Sequence, residues 1–163
     1  MGWFSKKGPT QDEVRAYQIG QDAGAEMATA FNVYQQQRFG PIYGRYLDVL
    51  RDALQSALKD DSKPPLLVCR AHLQIFEENV KTLHTQMLDE TMSSMSDWFE
   101  RARVFGVFEQ TQAGVQQSIE TFCGKLLNEG GALVEAYIPV IEDAESAWQR
   151  KFPERVAEFY GRK

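Results

Sequence analysis

Apolar residues recur along this chain at intervals of three and four, and no stretch shows sustained strict alternation. That spacing is the period of a helix with one buried face. No Asn-Gly or Asp-Gly pair, the strongest hairpin signal, occurs. The pattern therefore predicts an all-α chain. The segments divide it into an antiparallel bundle of about five long helices plus a short C-terminal helix.

The first segment runs from Thr10 to about Arg38. Thr10 and Glu13 have the spacing of a capping box, and Asp12 and Glu13 suit the positive end of a helix dipole. Ala16, Ile19, Ala23, Met27, Ala30 and Tyr34 share one face. Gly20, Ala23, Gly24, Ala25 and Ala28 make the segment small-residued, which predicts close approach of another helix. Gly40-Pro41 reads as its end, and Pro41 as the start of a second helix to Lys59 with the stripe Tyr43, Leu47, Leu50, Leu54 and Leu58. Asp60 to Pro65 is the clearest loop, with Asp61 or Ser62 as the expected cap of the next helix.

The third segment carries Cys69, Leu73, Phe76, Val80, Leu83 and Met87 at 4-3-4-3-4 spacing, a heptad seam of coiled-coil type. The seam then slips by one residue to Leu88, Met92, Met95, Phe99 and Ala102. Such a slip predicts a bend or break, placed near Ser94. A regular bundle is expected only as far as about Met87, with irregular structure and a binding surface beyond it. The fourth segment, Phe108 to Asn128, has Val115, Ile119, Phe122 and Leu126 on its stripe and ends at Gly130-Gly131. The fifth runs from Ala132 to about Lys151 and should kink at Pro139, whose ring removes a backbone bond. Phe152-Pro153 breaks the chain before a last short helix over Glu154 to Tyr160.

Composition adds few constraints. A 163-residue chain with 43% hydrophobic and 12% aromatic residues can bury a core, so a flexible tail over residues 1–9 and one helical domain over residues 10–163 are expected. The net charge of −5 is spread over interspersed signs without a basic face, which argues against nucleic-acid binding. Two cysteines, Cys69 and Cys123, make no disulfide framework and read as core thiols in a reducing compartment. No segment approaches the ~20 apolar residues of a membrane-crossing helix. The expected location is cytoplasmic, with a peripheral membrane location as the alternative.

The candidate chemistry is thin. Cys69-x-x-His72 places two ligand types on neighbouring helical positions, but zinc asks for about four ligands and His84 is too far along the helix. A di-iron site fails because neither histidine has a glutamate three residues before it. No nucleophile elbow or phosphate-cradling loop is present. No catalytic residue, metal or cofactor is therefore expected. Met92, Met95, Trp98, Phe99, Arg101 and Phe105 cluster beyond the seam slip and are the candidate partner-binding residues, since methionine, aromatics and arginine suit interfaces. Trp3, Phe4, Lys6 and Lys7 form an aromatic-basic segment suited to a lipid surface.

These features favour a non-enzymatic helical-bundle interaction protein, self-associating or the small subunit of an assembly. Two other readings stay open: a peripheral membrane-binding protein using the N-terminal segment, and a cofactor or ligand carrier with a pocket between helices near His72 and Cys69.

Overall fold

The computed structural model describes Gly8 and residues 10–161 and is helical throughout, with no strand among the described residues. Among the described residues five α-helices follow in order: α1 (Gln11–Lys59), α2 (Pro65–Ser94), α3 (Ser96–Val104), α4 (Phe108–Lys151) and α5 (Val156–Tyr160), with a 3-10 turn (Pro153–Arg155) before the last. The start of α1 is the expected capping box. The Thr10 amide donates to Glu13 Oε2 at 3.0 Å and the Glu13 amide to Thr10 Oγ1 at 3.1 Å.

Two expected helix ends are absent. Pro41 lies inside α1 and Gly130 and Gly131 lie inside α4, which also contains Pro139, a residue expected within a helix. In both places the apolar stripe continues across the supposed break, and its burial outweighs the local propensity. Phe39, Leu50 and Leu54 are all at most 2% exposed around the first, and Leu126 and Ile141 are buried around the second.

The break near Ser94 is present. α2 stops at Ser94, Met95 has φ −111° and ψ 27°, and α3 begins at Ser96. The Met95 amide still donates to Thr91 O at 2.9 Å and the Phe99 amide to Met95 O at 3.1 Å, so the interruption is one residue long. α3 ends in a Schellman turn. The Val107 amide reaches Ala102 O at 2.8 Å and the Gly106 amide reaches Arg103 O at 3.1 Å. Gly106 takes φ 74°, a conformation that a side chain disfavours. Irregular backbone in this part is confined to Met95 and the Phe105–Val107 connection, and α4 beyond it is continuous.

The chain forms two compact units. The first comprises Met1–Gly40 and Thr85–Glu120. Within it Arg101 bonds Glu26, Tyr34 bonds Ser94 and Arg38 bonds Glu90, so α1 runs antiparallel to α2 and α3. Ser118 donates to Gln35 at 3.0 Å from α4. Its core holds Met27, Phe31, Phe39, Met87, Met95, Phe99 and Ile119.

The second unit comprises Pro41–His84 and Thr121–Lys163. Gln55 pairs with Tyr137 and Asp61 with Trp148, so α1 and α4 rise together. α2 descends between them, with Leu66 near Glu145 and Phe76 against Gly130. Cys69, Phe76, Val80 and Leu83 of the predicted seam are all buried here. The cap of α2 differs from expectation. Ser62 turns back onto Asp60, and it is Glu145 of α4 that accepts the Leu66 amide at 3.1 Å. A carboxylate at a helix start also meets the positive end of the dipole.

Candidate functional site

The first unit contains a groove of about 490 Å³ between the first half of α1 and the start of α4, bordered by the α3–α4 connection. Its α1 wall is a ridge of small residues at four-residue spacing: Ala16, Gly20, Gly24 and Ala28. Thr111, Gly114 and Val115 face it from α4, and Phe105 and Val107 from the connection. Among the described residues no Asp, Glu, Lys, Arg or His lines it.

The predicted close helix contact along this ridge is loose. A Cβ on Gly20 would lie 4.0 Å from the Phe105 carbonyl oxygen, and one on Gly24 would meet nothing within 4 Å. Small residues here leave space instead of drawing a helix in. The first turns of α1 are also uncovered, since every residue from Gln11 to Ile19 is exposed. Ala16 and Ile19, predicted as stripe positions, are therefore outside the core. Val14 (52% exposed), Tyr17 (68%) and Val104 (79%) add to the apolar surface of this unit.

The six candidate partner-binding residues separate into two groups. Met95 and Phe99 are core residues, 4% and 2% exposed, and Phe99 packs edge-on against Phe108 at 5.9 Å. They hold the unit together and present no surface to a partner. Met92 and Trp98 are half-buried. Arg101 lies over the Trp98 ring at 4.9 Å and bonds Glu26 at 3.2 Å, so it is engaged within its own unit. Phe105, 38% exposed, lines the groove. Exposed Val14 and Tyr17 on α1 were missed because burial of the first turns depends on whether another helix reaches them, and periodicity carries no record of that.

The Cys69-x-x-His72 pair does not converge on a site. Cys69 is buried, whereas His72 lines a separate pocket of the second unit. Burial pushes the Cys69 thiol up and the Cys123 thiol up to about 11. Both therefore stay protonated at neutral pH, without the thiolate that nucleophilic or ligand chemistry needs. Among the described residues no group of three or more His, Cys, Asp or Glu is placed to hold a metal ion, and no helix is long and apolar enough to cross a membrane. Trp3, Phe4, Lys6 and Lys7 lie outside the described residues. Comparison with protein-family models, with curated proteins and with solved structures gives no match.

Proposed function

We propose that this chain is a non-enzymatic interaction protein that self-associates by seating an apolar helix edge of a second copy in the groove of its first unit. The observation that carries the reading is the groove itself: a wall of small residues, no charged lining among the described residues, and exposed Tyr17, Val104 and Phe105 in the same unit. An amphipathic helix in an apolar groove is a recurrent recognition mode. The unit carries a trough, with Tyr17 and Phe105 in its lining, and an exposed apolar residue outside that lining, Val104, to enter the trough of a second copy, as a self-complementary two-fold interface requires. Burying Val104 and Tyr17 removes from water the largest apolar exposures of this unit.

Sedimentation equilibrium over a wide concentration range tests this. The expected result is a reversible monomer–dimer equilibrium. Phe105→Glu, which puts a charge at the groove, and Gly24→Leu, which fills it where a Cβ has open space, should each weaken dimerisation by about tenfold or more. A strict monomer at the highest concentrations overturns the reading, as does a dimer that both substitutions leave intact.

A further inference from the structure

The second unit contains a different kind of concavity. A pocket of about 220 Å³ opens between α1 and α2. Its floor is Leu50 and Phe76, 2% and 5% exposed, and its mouth carries Val49 and Ile75, 61% and 51% exposed. Four polar side chains line it: Arg45 and Tyr46 from α1, His72 and Asn79 from α2. None of the four is hydrogen-bonded or ion-paired to another described residue. Among the described residues no carboxylate lines the pocket, although the chain carries 23 acidic against 18 basic side chains.

A guanidinium without a carboxylate, beside a phenol, an imidazole and a side-chain amide and above an apolar floor, is complementary to an anion attached to an apolar body. Arginine offers a planar pair of donors matched to a carboxylate. Size narrows the ligand further. An apolar cavity of about 150 Å³ holds a benzene ring, so 220 Å³ accommodates one ring or a branched alkyl group plus a carboxylate. It is too small for a nucleotide or a long acyl chain, because drug-sized ligands occupy about 300 Å³ or more.

We infer that this pocket binds a small monocarboxylate with an aryl or branched-alkyl body, its carboxylate on Arg45 and its apolar part on Leu50 and Phe76. Tyr46, His72 and Asn79 supply further hydrogen-bonding groups around the carboxylate end. The buried Phe76 ring sets the depth of the floor, and α4 fixes that ring from behind at Gly130, where a Cβ would come within 2.2 Å of it. The site is independent of the groove in the first unit, so either reading can fail without the other.

Amide-resolved NMR titration with phenylacetate tests the inference. Saturable shifts are expected for residues 45–53 and 72–79, with a dissociation constant of about 1 mM or below, in keeping with ten non-hydrogen atoms of modest efficiency. Phenylacetamide, which keeps the body and loses the charge, should bind at least tenfold more weakly, as should phenethylamine. Arg45→Gln, at an exposed position, should leave the free-protein spectrum folded and weaken phenylacetate by tenfold or more. The inference is overturned if phenylacetate gives no saturable shift at these residues, if phenylacetamide binds equally well, or if folded Arg45→Gln retains full affinity. The two uncharged and cationic probes need no variant and decide the point on the wild-type chain.

Discussion

Gly130 sits so close to the Phe76 ring that a Cβ at that position would lie 2.2 Å from Cε2 and 2.5 Å from Cζ. Real side-chain carbons do not approach so closely, and the ring is buried, with 5% of its surface exposed. The glycine is therefore in α4 to let α2 come near, which accounts for a helix-disfavouring residue inside a continuous helix.

Gly130→Ala should consequently destabilise the protein by about 2 kcal/mol or more, although alanine is the better helix former, because overpacking costs typically 1–3 kcal/mol. Gly131→Ala is the control. A Cβ at Gly131 meets nothing within 4 Å, so the same exchange should be neutral or stabilising by up to about 1 kcal/mol. Urea unfolding of the two variants checks the difference. Equal effects would mean that the contact with Phe76 does not limit this position.

Glu145, 7% exposed, ties three elements together. Its Oε1 accepts the Leu66 amide at the start of α2, and its Oε2 accepts the Tyr160 hydroxyl of α5 at 2.6 Å and the Gln149 amide at 2.8 Å. Glu145→Ala leaves a part-buried backbone donor and a part-buried hydroxyl without this acceptor. Such groups cost about 1–3 kcal/mol each, so a loss of about 3 kcal/mol is expected, or roughly 6–12 °C in Tm for a chain of this size. Amide exchange at Leu66 should accelerate with it. Glu145→Gln keeps one acceptor oxygen and should cost less. Unchanged exchange at Leu66 in the alanine variant would show that Glu145 does not cap α2.

Thr91 is completely buried at 0% exposure, and its Oγ1 has no hydrogen-bond partner among the described residues. A buried hydroxyl without a partner has surrendered its water and gained nothing in return. Thr91→Val keeps the branched shape and removes the polar atom, so it should stabilise by about 1 kcal/mol. A loss of stability on thermal unfolding would show that the hydroxyl is satisfied in solution.

The helical class, the capping box at Thr10, the seam from Cys69 to Met87 and the break near Ser94 were all legible, because each follows from local spacing or local hydrogen bonding. The seam slip was legible as an event but not in its register. Thr91 continues the buried line after Met87, and Leu88 and Met92 are only half-buried. A polar residue in the core depends on its neighbours from other helices. Gly40-Pro41 and Gly130-Gly131 misled for a related reason: the same dipeptides end helices or sit inside them according to what packs beside them. The stripe Leu126, Gly130, Leu133, Tyr137, Ile141 does run unbroken through the glycines, and weighting it above the glycines would have joined the two segments. The groove and the pocket were not legible as places. Phe105 and His72 were singled out by residue type, but Gly20, Gly24, Arg45 and Tyr46 acquire their roles only when a second helix stands opposite.

Stability should fall on the alkaline side. Burial raises the Cys123 thiol from 9.0 to about 11, and burial with the Glu129 carboxylate raises Tyr43 from 10.0 to about 12. Cys69 and Tyr160 are raised as well, Tyr160 by burial first and then by Glu145. All four groups are neutral when protonated. As pH rises past about 9 the unfolded chain releases these protons first, while the native chain retains them. The native state then holds more protons, so stability declines with pH. The contribution is fully present below about pH 9 and is lost as pH climbs through about 11 for Cys123 and about 12 for Tyr43. Urea midpoints measured from about pH 7 upward should be level at first and then descend. Cys123→Ala, which costs stability at neutral pH by opening a small cavity, should show a shallower descent between about pH 9 and 11 than the wild type. Parallel curves for the two proteins would mean that the Cys123 thiol ionises in the folded protein as readily as in the unfolded chain, and that its burial does not govern the alkaline limb.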